Sequence, residues 1–416
     1  MVSALSTTLH SKYCVSSTFV SLEPPSAPLP ASIDPLILHY HIDVTSASLR
    51  LDSLLPSFDL VICHYWNHPL LSFLLTTYSF CNIPLIFWTH TSGLHSLNPI
   101  PPQLLTSSVQ TIYSSTASFS LPYSLTQPPI NLPISIHSTR DLADFSALYK
   151  VRKYSQSPRT LLYAGTVSRH KMHSDSINIF KTLSYSYNIL VVGEPTDREL
   201  FTALSTLDRI KFLGYQNSIA KYLLEADCLV YPLNNNHYGT GEQILLEALS
   251  SGLPAICIDN PAERAIVRHL FSGLLCPDST NFISSVLELM SKPRLIQSYS
   301  LKAHLDAKER FSLSVTADKF YRAMTRLMES SIRCNGTIFR ACHSDLAFSS
   351  MISATFPAHE PILETTHHSI LQQITNLYLS MHIHANILSH PSKGSPFQYV
   401  SYFPNSSYIS KICSRL

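Results

Sequence analysis

The order of apolar runs predicts an α/β protein built from two doubly wound domains. Three observations carry this. Short β-rich runs alternate with helical stretches along most of the chain, the signature of parallel sheets. The length, 416 residues, exceeds one ordinary core and suits two domains of about 150–200 residues each. Seven of the ten glycines fall between Gly165 and Gly273. The second half therefore carries the tight turns and close backbone approaches that such a fold needs.

In the first half, DPLILHYHI (35–43), FDLVICHYW (58–66), IPLIFWTH (83–90) and SVQTIYSS (108–115) read as strands. HPLLSFLLTTYSF reads as a helix before the third. Residues 120–157 are rich in Ser, Pro and Thr and read as a connection, which sets an N-terminal domain at 1–150. In the second domain, 158–330, six strand signals follow in order: RTLLYAG, NILVVGEP, RIKFLGY, CLVYPL, LPAICID and SGLLC. Helical segments alternate with them, EQILLEALSSG (242–252) ending on a glycine stop. Three helices then fill 279–330. Residues 333–416 form a C-terminal extension without assigned role, with a helix predicted at HSILQQITNLYLSMHI.

Composition excludes several function classes. The net charge of +2, without a run of Lys or Arg, argues against nucleic acid as a partner. Charged residues make up 13%, well under the ~25% of typical domains. The nine cysteines show no CxxC or finger spacing and read as reduced thiols, several of them buried. His64 and His68 stand four apart in HYWNH, but no third ligand is near, and no metal is expected. No run reaches the ~18 apolar residues of a spanning helix. The first thirty residues lack a charged start followed by an apolar core, so no signal peptide is expected. The expected location is cytoplasmic, with peripheral membrane contact left open.

The most informative segment is YGTGEQILLEALSSGLPAI (238–256). It is a glycine-flanked loop that opens a helix directly after the strand CLVYPL. Thr240 is expected to cap that helix. Backbone N–H groups at Gly239, Thr240 and Gly241 would then face one volume, with the positive helix end behind them, an arrangement that suits a diphosphate. Glu247, in the second turn, is placed to accept hydrogen bonds from a ribose diol, as an acidic residue does in dinucleotide folds.

This segment resembles the E-x7-E region of retaining, family 4 GT-B glycosyltransferases (glycosyl transferases group 1). Gly241 through Ile256 carry the match, with Glu247 at the position of the second, ribose-binding glutamate. Gly239 stands where the first glutamate belongs. Glu242, about one helical turn on, can project over nearly the same volume. LLYAG (161–165) followed by TVSRHK (166–171) resembles the family's strand and diphosphate-binding loop. Lys171 matches the lysine, Thr166 stands at the arginine position, and Arg169 offers a displaced guanidinium. IKFLGY (210–215), with Tyr215 at its end, resembles the stretch lining the base side of the pocket, and NPAE (260–263) the segment after the donor strand. In the first half, FDLVICH (58–64) and FWTHTSG (87–93) resemble two strand ends of the acceptor domain. His90 takes the place of a histidine that faces the transferred sugar.

The resemblance implies a GT-B architecture, two Rossmann-like domains facing a central cleft. It implies transfer of a sugar from a nucleoside-diphosphate sugar to an unknown acceptor, a glycan, lipid or protein, with retention of configuration. The implied catalytic residues are His90 and Glu242. The implied nucleotide-sugar ligands are Gly165, Arg169, Lys171, Tyr215, Gly239, Thr240, Gly241 and Glu247. Backbone amides and basic residues stabilise the departing diphosphate, and no cofactor is implied beyond the donor itself. The rival reading is a catalytically inactive relative serving as a binding or scaffold subunit, consistent with Gly239 and Thr166. An NAD-dependent oxidoreductase fits poorly, because GTGE lacks the third glycine and does not follow the first strand of its domain.

Overall fold

The structure, a computed structural model, describes residues 2–23, 38–43, 47–94, 100–105, 109–121, 134–137, 140–235, 237, 242–339, 351 and 395–414. Beyond the first five residues, the chain forms two compact units: residues 6–136 together with 317–416, and residues 137–316.

In the first unit, β1 (Thr18–Ser21) and β2 (Leu38–His41) pair in parallel as a separate ribbon. Of the predicted strand at 35–43, Leu38–His41 forms and 35–37 lie outside the described residues; its partner is a short strand, TFVS, that the sequence did not announce. The main sheet is parallel. It contains β3 (Val61–Tyr65), then, past β4 (Phe80–Ile83), β5 (Leu85–Thr89), β6 (Gln110–Tyr113) and β7 (Ile134–Ser135), in the order β3-β5-β6-β7. Every residue of β5 is buried, as expected of a strand covered on both faces. The helix Pro69–Thr77 follows β3. Its start is set by Pro69 and by His68, whose Nδ1 accepts from the Leu70 N–H at 3.3 Å.

The unit 137–316 begins earlier than the expected 158. The helix Ala143–Val151 lies in the stretch read as a connection, yet Leu142 and Phe145 pack into this unit's core. Arg152 fixes it further, donating to the carbonyls of Leu223 at 2.6 Å, Ser251 at 2.9 Å and Ala226 at 3.1 Å. These carbonyls lie at the ends of two helices, Ala220–Glu225 and Gln243–Ser250, where a cation is favourable.

All six expected strands form: β8 (Thr160–Ala164), β9 (Asn188–Val192), β10 (Ile210–Gly214), β11 (Cys228–Tyr231), β12 (Ala255–Ile258) and β13 (Gly273–Cys276). They are parallel, in the order β10-β9-β8-β11-β12-β13. The chain winds outward from β8, then returns to its other side at β11. The strand order thus reverses between β8 and β11, and ligands of open α/β sheets bind outside the carboxyl ends at such a point. Two glycines are required here. A Cβ on Gly193 would lie 2.1 Å from the Gly165 carbonyl oxygen, so the turns after β8 and β9 pack backbone to backbone. Gly252, at φ +72°, ends the helix Gln243–Ser250, and a Cβ there would lie 2.5 Å from Tyr149.

The stretch 333–416 is not a separate extension throughout. β14 (Cys334–Gly336) pairs antiparallel with β4, and Asn335 accepts from the Asn82 N–H at 2.8 Å. Phe339 is fully buried in the core of the first unit. The helix predicted at 368–383 lies outside the described residues. Among the described residues no helix is long and apolar enough to cross a membrane, and the eight described cysteines are free thiols.

Candidate functional site

The loop after β8 is held firmly at the reversal point. Gly165 N–H donates to Val192 O at 2.9 Å, and Val167 N–H to Glu194 O at 3.0 Å. A short turn follows, closed by Met172 N–H on Ser168 O at 2.8 Å. Lys171 is then pinned to the chain beyond β11, since its carbonyl accepts from Asn234 N–H at 2.8 Å. Its ammonium lies near Gly165, 3.7 Å from where a Cβ on that residue would stand.

Lys171 Nζ donates to Glu242 Oε2 at 3.1 Å. Glu242 is buried and also accepts from the Tyr231 hydroxyl. His237 Nδ1 lies 3.9 Å from Glu242 Oε1, and His237 Nε2 is 3.0 Å from Glu263 Oε1. Lys171, Glu242, His237 and Glu263 thus follow one another as alternating basic and acidic side chains through the interior. Burial alone raises the Glu242 pKa. The Lys171 and His237 charges, with hydrogen bonds from Tyr231 and Lys171, bring it below its ordinary value. Burial likewise opposes charge on His237, but the hydrogen bond and charge of Glu263 raise its pKa above the usual imidazole value.

Glu242 occupies the N-cap position of the helix Gln243–Ser250, in extended conformation and without a side-chain cap bond. This corrects the expected cap at Thr240: the helix starts later, and the Glu242 carboxylate is taken by Lys171 and Tyr231. Gly239, Thr240 and Gly241 themselves lie outside the described residues. Glu247 sits in the second turn, 5% exposed, and its Oε1 is 2.7 Å from Arg140 Nη1. Burial raises its pKa although Arg140 opposes this.

The other expected ligands are more dispersed. The Arg169 guanidinium pairs with Glu199 at 3.1 Å and Asp197 at 3.5 Å. Tyr215 follows Gly214 at the end of β10, 73% exposed. His90 belongs to the other unit, directly after β5. Its N–H donates to Tyr65 O at 2.8 Å, and its Nε2 is 2.9 Å from His64 Nδ1. Burial lowers the His64 pKa to about 4, so that ring is neutral near pH 7.

Sequence reasoning missed Arg140, Tyr231, His237 and Glu263 as parts of this arrangement. Glu263 stood in a quoted motif, and His237 immediately precedes the glycine loop. Only their burial shows that they meet. Among the described residues no group of three or more His, Cys, Asp or Glu is placed to hold a metal, and His68 serves as a helix cap.

Residues 148–305 match the model of the family glycosyl transferases group 1. Over 102 residues the chain is 29% identical to alpha-1,3/1,6-mannosyltransferase ALG2 of Mus musculus, covering 24% of each chain. Over 176 residues it is 24% identical to N-acetyl-alpha-D-glucosaminyl L-malate synthase of Bacillus anthracis, covering 40% of this chain and 45% of the relative. The chain thus spans less than half the length of these curated relatives. Sucrose-phosphate synthase of Thermosynechococcus elongatus is similar in fold, with a TM-score of 0.60 at 15% identity over 78% of this chain and 92% of the other. A glycosyltransferase of Rickettsia africae gives 0.59 at 14% identity, over 79% and 94%. Anabaena HepE, solved with UDP and glucose, gives 0.50 at 15% identity, over 70% and 86%. The fold is that of the GT-B glycosyltransferases, with Rossmann-like parallel sheets, and the similarity to the family glycosyl transferases group 1 extends over residues 148–305.

Proposed function

We propose that this protein is a glycosyltransferase, moving a hexosyl group from a nucleoside-diphosphate sugar to an acceptor with retention of configuration. The observation that carries this is the Lys171–Glu242 pair at the point where the strand order reverses. A cation held there by a buried carboxylate is ready to meet a diphosphate, which can displace the carboxylate as its partner. In this reading Lys171 and the 239–241 loop neutralise the departing diphosphate. Arg169 joins them once released from Asp197 and Glu199. Gly165 admits the phosphates, Tyr215 flanks the base, and Glu247 receives the ribose. Glu242 acts towards the transferred sugar. No metal or cofactor is assigned a part. The reaction is placed in the cytoplasm, and the acceptor is a glycan, lipid or protein.

A non-catalytic scaffold is the second reading, favoured by Gly239 at the position of the family's first glutamate. A thermal-shift panel of UDP-, GDP- and ADP-sugars, with donor hydrolysis measured on the same samples, separates the two. A donor at about 100 times its Kd stabilises the protein by about 2.7 kcal/mol. Stabilisation with hydrolysis supports the enzyme, and stabilisation without turnover of any donor supports the scaffold.

A further inference from the structure

The pairing of Lys171 with Glu242 has a cost when a diphosphate arrives. If Lys171 turns to the phosphates, the Glu242 carboxylate, 7% exposed, loses its cation. A buried carboxylate stripped of its partner is strongly unfavourable. Lys171 and the Tyr231 hydroxyl both bond to Glu242 Oε2. The oxygen that faces His237 is Oε1.

His237 is buried with a carboxylate at each ring nitrogen. Its Nε2 is 3.0 Å from Glu263 Oε1 and 3.2 Å from Oε2. Its Nδ1 is 3.9 Å from Glu242 Oε1, within ion-pair reach but beyond a hydrogen bond. A neutral imidazole carries one N–H and would turn a lone pair towards one of the two carboxylates, whereas the imidazolium donates on both sides. Glu263 is fully buried, and among the described residues His237 is the only side chain bonded to its carboxylate. It therefore anchors the ring and favours its charge. The backbone is fixed as well: His237 N–H donates to Asn234 O at 3.1 Å, and Asn234 N–H to Lys171 O at 2.8 Å. Among the described residues the charged groups facing His237 are Glu263, Glu242 and Lys171. The Tyr163 and Tyr231 hydroxyls and the Cys257 thiol, close to the carboxylates, are kept neutral by burial. Burial opposes the imidazolium and Lys171 repels it, but Glu263 and Glu242 outweigh both, so the ring holds its proton to higher pH than a free imidazole does.

We propose that His237, set by Glu263, is a positioning residue for donor binding: its imidazolium takes over the Glu242 carboxylate when the donor diphosphate draws Lys171 away. Donor binding then leaves the two buried carboxylates with one cation rather than none. This role rests on the reading of Lys171 as a diphosphate ligand, and it gives neither His237 nor Glu263 a contact with the donor.

Calorimetry with UDP-glucose, GDP-glucose and ADP-glucose tests this between about pH 5.5 and 8.5, the range in which imidazoles titrate. The phosphates of these donors do not titrate there. Donor binding should be tightest where the imidazolium prevails. It should weaken as pH rises, by up to about tenfold per pH unit for one coupled proton. His237→Gln should remove this slope and weaken the donor about tenfold at the acid end, as for strongly coupled neighbours, with the bare nucleoside unaffected. In Glu263→Gln the decline should begin at lower pH. With Glu242→Gln no buried charge calls for the imidazolium, so adding His237→Gln to Glu242→Gln should cost no affinity. Urea unfolding checks that each variant is folded, and His237→Gln with and without Glu242→Gln carries the test if Glu263→Gln does not fold. An equal loss from His237→Gln in both backgrounds, or a parent affinity that does not change with pH, overturns the role of His237 and leaves the diphosphate reading intact. Failure of all three donors to bind the parent overturns both.

Discussion

Arg140 grips Glu247: the guanidinium stands 2.7 Å from a carboxylate that is almost wholly buried, while the arginine itself remains 41% exposed. The residue proposed to receive the ribose is thus already ionically held, from a stretch that the sequence presented as a connection. A ligand at Glu247 must use the second oxygen or share the first with Arg140.

Glu247→Gln should weaken every nucleotide sugar by a similar factor, on the order of 1–3 kcal/mol for a charge-assisted bond. Calorimetry with UDP, GDP and ADP checks this, and unchanged affinity for all three removes Glu247 from the ribose site. The same variant should alter the pH dependence of stability. The folded protein holds the Glu247 proton more tightly than the unfolded chain does. Ionising it therefore costs stability as pH rises above the ordinary value of 4.5, and the cost is complete once pH passes the raised folded value. Glu247→Gln should flatten that part of the curve in urea titrations.

Lys171→Ala with Arg169→Ala should cost affinity for a nucleoside diphosphate more than for the bare nucleoside, and the difference should shrink at high salt. Equal losses for both ligands would contradict the diphosphate assignment. Lys171→Ala alone also leaves Glu242 without its cation. Breaking a buried pair typically costs about 3–5 kcal/mol, and solvent access at Lys171 places the expected loss at or below the lower end. Adding Glu242→Gln to Lys171→Ala should recover part of that loss.

Glu242→Gln tests the sugar contact. Turnover lost with nucleoside-diphosphate affinity intact indicates an interaction made in the transition state. Turnover and affinity both intact would end the assignment. Because Glu242 has a lowered pKa in the folded protein, its contribution to stability is present above its ordinary value of 4.5. It is lost as pH falls through the folded value.

Gly193→Ala should destabilise the second unit by about 2–4 kcal/mol, since the new Cβ has backbone rather than a movable side chain in its way. Urea unfolding gives the magnitude. A variant as stable as the parent would mean that the turns after β8 and β9 can separate freely.

The strands β8–β13 were legible because each is a short apolar run closed by glycine, proline or asparagine, and because their order alone implies the reversal point. Lys171, Glu242 and Glu247 were legible through motif position. What those side chains touch was not. His237 and Glu263 are 26 residues apart and meet only because the loop after β11 reaches the first turn of the helix Pro261–Ile266. The helix Ala143–Val151 was hidden within Ser- and Pro-rich surroundings, although Phe145 gives it a buried face. β1 and β7 are too short and too polar for alternation to mark them. The cap expected at Thr240 failed because the helix starts later, with Glu242 at its N-cap position.

The pairing of β4 with β14 bears on how the chain is made. Asn82 and its partner Asn335 are separated by 253 positions, so a ribosome releases one long before the other exists. All of 137–316 emerges in between and can complete its own sheet first, as sequential synthesis favours. Until then β4 lacks the neighbour that blunts it, and an open strand edge invites pairing with other chains. Nascent chains stalled before Cys334 should therefore be richer in aggregates, and bind chaperones longer, than those stalled shortly after Phe339.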